Sequence, residues 1–249
     1  MNVLLLKVLL VPSLIALVTL AGRRWGQRLA GWLGGFPIVA GPVLLVLAIE
    51  NGNAFAAEAA FAALVGLAPA MLFYLAYTHF AIRVRWFVAA PAALACWVAA
   101  IGALHLVQPT LWLGLLLGAG ALWLVPRWMP MAKAGESSTP HPAELASRMV
   151  VGAAVTVFSS ELGRRGGAQL SGYAALFPSI GLVVATFNHA QGGAQAATLF
   201  LRGMTRGMWS VASFCLTLML VLPRALMGVA FLAATLVAML THLLSRPAS

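Results

Sequence analysis

The residues able to do chemistry in this chain are few, and the most telling ones come twice. Arg23-Arg24 leads to Phe36-Pro37, and Arg164-Arg165 leads to Phe177-Pro178 at the same spacing. Arginine pairs offer fixed positive charge to an anion. A proline inside a helix removes an amide donor and clashes with the carbonyl one turn back. Such a break frees carbonyls and the N-terminus of the next half-helix, which suit a cation and an anion respectively. Arg23 to Pro37 is about 21 Å of helix at ~1.5 Å per residue, so a membrane helix would carry the proline near mid-depth. Arg23, Arg24, Arg164 and Arg165 are therefore candidate guides at two entrances, and Phe36, Pro37, Phe177 and Pro178 a candidate central site. A plain proline kink is the rival reading of each break.

Polar residues follow both breaks. Glu50, Asn51 and Asn53 come after the first; Asn188, His189, Gln191 and Gln195 come after the second. Asn188 and Gln191 join the substrate-binding candidates, although an ordinary polar turn would look the same. Glu50 and Glu58 are the candidates for proton coupling, because a carboxylate at membrane depth is costly without a use. Glu161, three and four residues before the second arginine pair, suits a local ion pair.

Much chemistry is excluded. The chain has no Asp, no His-Glu-x-x-His, no Gly-x-Ser-x-Gly and no phosphate loop ending in Gly-Lys-Ser/Thr. Cys96 and Cys215 lie in apolar runs and read as free thiols. Five scattered histidines make no metal site, so neither metal, cofactor nor enzymatic activity is expected.

The elements that must hold these residues are set by composition. The chain is 62% hydrophobic and only 8% charged, against about 45–50% and about 25% for soluble domains. The expected fold is an all-α polytopic membrane protein, since unpaired amides in hydrocarbon cost several kcal/mol each. Apolar segments at 3–21, 29–49, 54–81, 86–106, 110–125, 148–162, 170–190, 195–222 and 225–244 give about nine transmembrane helices, with 110–125 and 148–162 the shortest. The first segment carries Lys7 inside its apolar run and reads as a retained helix. Residues 126–147 form a cytoplasmic linker between a first repeat with one extra helix (1–125) and a second repeat (148–249). The net charge of +10 suits helix ends and lipid head groups, not nucleic acid.

Across residues 23–37 and 164–178, seven of fifteen positions are identical, and the same offset pairs Gly52 with Gly193, Gly66 with Gly207 and Phe73 with Phe214. With the N-terminus outside and the C-terminus cytoplasmic, eleven of fifteen Lys and Arg are cytoplasmic, Arg148 among them. Five spans then separate the copies, so two inverted repeats with Pro-broken second helices are expected; if 110–125 or 148–162 did not cross, the copies would be parallel. Gly22, Gly26, Ala30, Gly34 and Gly163, Gly167, Ser171, Ala175 predict a smooth packing stripe in each copy.

The run Arg24-Trp25-Gly26-Gln27-Arg28-Leu29-Ala30-Gly31-Trp32-Leu33-Gly34-Gly35-Phe36-Pro37, followed by Glu50-Asn51-Gly52, resembles the GlpM-like group of small bacterial membrane proteins of unknown function. The second copy keeps Arg165, Gly172, Phe177 and Pro178 but has Gln191 where the first has Glu50. The resemblance implies a fused pair over residues 1–106 and 144–247 in the bacterial inner membrane, with no activity attached.

The functional expectation is a secondary transporter for a small polar or anionic solute. A non-catalytic scaffold or accessory subunit of an envelope pathway and a lipid translocase are the alternatives. The partners are the lipid bilayer and the solute, and a homo-oligomer is compatible.

Overall fold

The computed structural model of the chain describes the backbone of residues 3–131, 142–164 and 167–246. Every regular element among them is a helix: α1 (Val3–Trp25), α2 (Gln27–Gly34), α3 (Ala40–Asn51), α4 (Asn53–Ala81), α5 (Trp86–Val107), α6 (Leu111–Trp128), α7 (Pro142–Arg164), α8 (Gly167–Ala175), α9 (Ser179–Val221) and α10 (Met227–Leu244). The expected segments 29–49 and 170–190 are each two helices on either side of a Phe-Pro break. The shortest expected segments become full helices, because α6 runs on to Trp128 and α7 begins at Pro142, the helical position where a missing amide costs least. Helix therefore takes both ends of 126–147, whose residues 132–141 lie outside the described ones.

Among the described residues, five helical stretches are long and apolar enough to cross a membrane: Asn53–Ala81, Trp86–Val107, Leu111–Trp128, Gly167–Val221 and Met227–Leu244. Their burial separates centre from rim. The most apolar window is 72% buried in α4 but 28% in α5 and 22% in both α6 and α10. Outward residues on those rim helices include Leu106, Trp112, Leu116, Leu232, Leu236 and Leu240, all large and exposed. Water would disfavour such a surface by about 25 cal/mol per Å² of apolar area. The architecture is compatible with a membrane protein, with hydrocarbon covering α5, α6 and α10.

The sequence similarity at the 141-residue offset recurs in the backbone. Gly26 and Gly167 have φ of 86° and 66°, and Gly52 and Gly193 have φ of 88° and 72°. At Gly52 and Gly193 ψ is 168° and −174°, a conformation essentially closed to side chains. Gly193 breaks α9 into two arms, as Gly52 divides α3 from α4.

Packing repeats as well. α2 lies on the second arm of α9 and α8 lies on α4; α10 flanks α9 and α5 flanks α4. A Cβ at Gly31 would land on the Phe200 carbonyl oxygen, and one at Gly172 on the Ala59 carbonyl oxygen, the same pair shifted by 141. Gly35 meets Gly207, where a Cβ would come within 2.7 Å of Cα, while Gly66 faces Leu176 and Tyr173. The expected stripe is thus corrected. Gly26 and Gly167 face open space and Gly34 makes ordinary contact. The chain turns at Gly26, so Gly22 and Gly34 lie on different helices and cannot share a face.

Candidate functional site

The two breaks are built alike. The amide of Ile38 donates to Phe36 O at 2.8 Å and that of Ser179 to Phe177 O at 2.7 Å, so each proline is the middle residue of a three-residue turn. Pro178 has φ −76° and ψ 47°. Each proline carbonyl then starts the next helix, accepting from Gly41 N at 2.9 Å and from Leu182 N at 2.7 Å. Both prolines are buried and both phenylalanines half-buried. Phe36, Pro37, Phe177 and Pro178 line one partly open cavity of about 50 Å³, together with Tyr74, Ser179, Met204 and Met208. That space has room for a few waters, at about 10–15 Å³ each.

The other candidates lie apart from this cavity. Arg23 and Arg24 are exposed in the last turn of α1. Arg164 ends α7, and Arg165 lies outside the described residues. Glu50 is exposed at the end of α3. Glu58 is exposed in the first turns of α4, beside a second cavity of about 190 Å³ with Gln108, Gln169 and Tyr173. Neither carboxylate lines the Phe-Pro cavity.

Asn188 and Gln191 have a different partner from any expected. Arg148, read from sequence as a cytoplasmic surface charge, is 2% exposed. Its Nη1 donates to Asn188 Oδ1 at 3.2 Å and to Thr19 Oγ1 at 3.4 Å, and its Nη2 donates to Gln191 Oε1 at 3.0 Å. Asn188 Nδ2 in turn donates to Gln27 Oε1 at 2.8 Å. The Arg148 guanidinium also lies 5.2 Å from the centre of the Phe187 ring. A fixed cation thus joins α1, α2, α7 and the first arm of α9. Arg148 is buried because α7 packs on α1 with residue 148 turned toward Thr19. The signal available in sequence was its alignment with Lys7, a charge within an apolar run.

A second unforeseen group ties α10 to the first break. The His242 ring stacks on Trp32 at 4.0 Å and meets Phe36 edge-on at 5.0 Å. Its Nδ1 lies 3.2 Å from Ser210 Oγ, and Trp32 Nε1 donates to the His242 carbonyl at 3.2 Å. At the other copy the edge contact on Phe177 comes from Trp97 of α5, at 5.0 Å. Among the described residues no three His, Cys, Asp or Glu side chains gather to hold a metal ion. What the arrangement offers is a pair of unwound helix segments with a small space between them and, apart from that space, a buried cation. No protein-family model, curated protein or solved structure matches the chain.

Proposed function

We propose that the protein is a secondary transporter that carries a small polar or anionic solute across a bacterial inner membrane, and that it is not an enzyme. One observation carries the reading: two Phe-Pro breaks, 141 residues apart in the chain, line the same cavity. Paired unwound helices around a shared central space are what a carrier needs to bind a solute and release it on either side. Arg148 supplies the preference for an anion, with Asn188 and Gln191 as hydrogen-bonding partners that a solute can displace.

In this reading the chain crosses nine times as two inverted repeats, with the N-terminus outside and the C-terminus cytoplasmic. Side-chain contacts support opposite entry of the copies. The start of α2, at Gln27, bonds Asn188 beside Arg148, whereas the start of α8, at Gln169, lines a cavity with Gln108 of the α5–α6 turn. Asn53, at the start of α4, donates to Leu222 O at the end of α9, so those two helix ends share a side. The resemblance to the GlpM-like group fits as a fused pair of such units.

The test is flux. Reconstituted in proteoliposomes, the wild-type protein should move one member of a panel of small inorganic and carboxylate anions, and P37A/P178A should reduce that flux to background while still inserting. Flux unchanged by the double substitution refutes the central site. A stoichiometric co-purifying partner with no flux would favour the scaffold reading, and flipping of fluorescent lipid the translocase.

A further inference from the structure

Three guanidinium groups meet where α2 crosses α9. Arg28 lies in the first turn of α2, and Arg202 and Arg206 lie one turn apart on one face of α9. The crossing is close. A Cβ at Gly203, beside Arg202, would land on the Arg28 carbonyl oxygen, and one at Gly207, beside Arg206, on that of Trp32. Arg28 repels both Arg202 and Arg206, and Arg206 repels Arg202. Arg202 is held in position by its Nη1, which donates to Met129 O at 2.9 Å and Pro130 O at 3.3 Å. Among the described residues no carboxylate pairs with any of the three.

The crossing itself does not require these charges. Where α8 crosses α4, Gly172 makes the same backbone approach, yet the residues matching Arg28, Arg202 and Arg206 are Gln169, Phe61 and Val65. The arginines stand at one crossing and not at its counterpart, so the fold does not need them and they are available to a ligand.

We propose that Arg28, Arg202 and Arg206 together bind a phosphate group, either the head group of an anionic phospholipid or free phosphate. Planar guanidinium forks match phosphate oxygens two at a time, and an anion among them turns their mutual repulsion into attraction. The surroundings favour the lipid. Trp25 and Trp128, at the ends of α1 and α6 and near in sequence to Arg28 and Met129, are 59% and 63% exposed. Exposed tryptophans mark the head-group level of a bilayer, and basic pockets between helices take phospholipid head groups there. The site stands whether or not the protein carries a solute.

The full-length protein in maltoside detergent is the sample. Native mass spectrometry with added phosphatidylglycerol or phosphatidylcholine, and thermal unfolding with inorganic phosphate, separate the two sources. Wild type should retain phosphatidylglycerol over phosphatidylcholine, and R28Q/R206Q should bind it about thirtyfold more weakly, at roughly one surface charge's worth per arginine. R83Q/R85Q, which removes two exposed charges elsewhere, should bind as wild type does. If R28Q/R206Q unfolds early without ligand, R28Q alone carries the test, with a loss of about fivefold. Protection by inorganic phosphate that the substitution abolishes, without lipid retention, assigns the site to soluble phosphate. Equal phosphatidylglycerol binding and equal phosphate response in wild type and variant overturn the proposal, as does an equal loss in R83Q/R85Q.

Discussion

At the scale of single residues, Arg148 is the side chain whose removal should matter most. It is buried, and it satisfies Thr19, Asn188 and Gln191 on two other helices. Arg148→Leu leaves buried acceptors without donors, at about 1–3 kcal/mol for each one stranded. Thermal unfolding in detergent should show R148L destabilised by about 2 kcal/mol or more. R148K should be intermediate, because a compact ammonium cannot replace a planar fork that reaches three acceptors. An R148L protein that melts with wild type would mean the network adds nothing to stability. This network was not legible in the sequence. Asn188 and Gln191 could be singled out as polar residues in apolar surroundings, but their partner is 40 and 43 positions away on another helix. Charge counting assigned Arg148 to a membrane face because it carries no information on which way a helix turns its side chains.

Among the helices, Phe36-Pro37 and Phe177-Pro178 were readable because a proline acts on its own backbone, wherever the helix packs. Close crossings are harder to read, because the small residue and the backbone it admits come from distant parts of the chain. The repeated motif contains Gly31 and Gly172, yet four-residue spacing drew the eye to Gly26 and Gly34, which nothing approaches closely. Added methyl groups should separate the two kinds. Gly31→Ala and Gly172→Ala each drive a Cβ into a helix carbonyl that has no rotamer to adopt, so each should destabilise by about 1–3 kcal/mol. At Gly102 and Gly228 a Cβ meets nothing, and alanine there should be neutral or stabilising by about 0.5–1 kcal/mol. Unfolding midpoints of the four single variants check this, and a G172A protein as stable as G102A would show that the α8–α4 crossing has room for a methyl group.

For the whole molecule, the consequential question is the direction in which each copy enters the bilayer. Matching bends at Gly52 and Gly193, matching turns at the prolines and matching crossings at Gly31 and Gly172 are local geometry, and would look alike in parallel or inverted copies. The contacts between copies show that the two depend on each other. Each short first half-helix packs on the long fourth helix of the other copy, α2 on the second arm of α9 and α8 on α4, so neither copy closes its core alone. Such an exchange is reciprocal, as a two-fold axis between the copies requires, and the proposed inverted arrangement would lay that axis in the membrane plane. In that proposed arrangement α6 would be the odd crossing that turns the second copy over. Accessibility of single cysteines tests this, with Cys96 and Cys215 first replaced by alanine. A cysteine at Ser137, in the stretch joining α6 to α7, and one at Gly166, beside the second arginine pair, should react with an impermeant maleimide from opposite faces of inside-out vesicles. Labelling of both from one face would make the copies parallel, and the shared Phe-Pro cavity would then be a packing defect between two bundles and not the centre of a carrier.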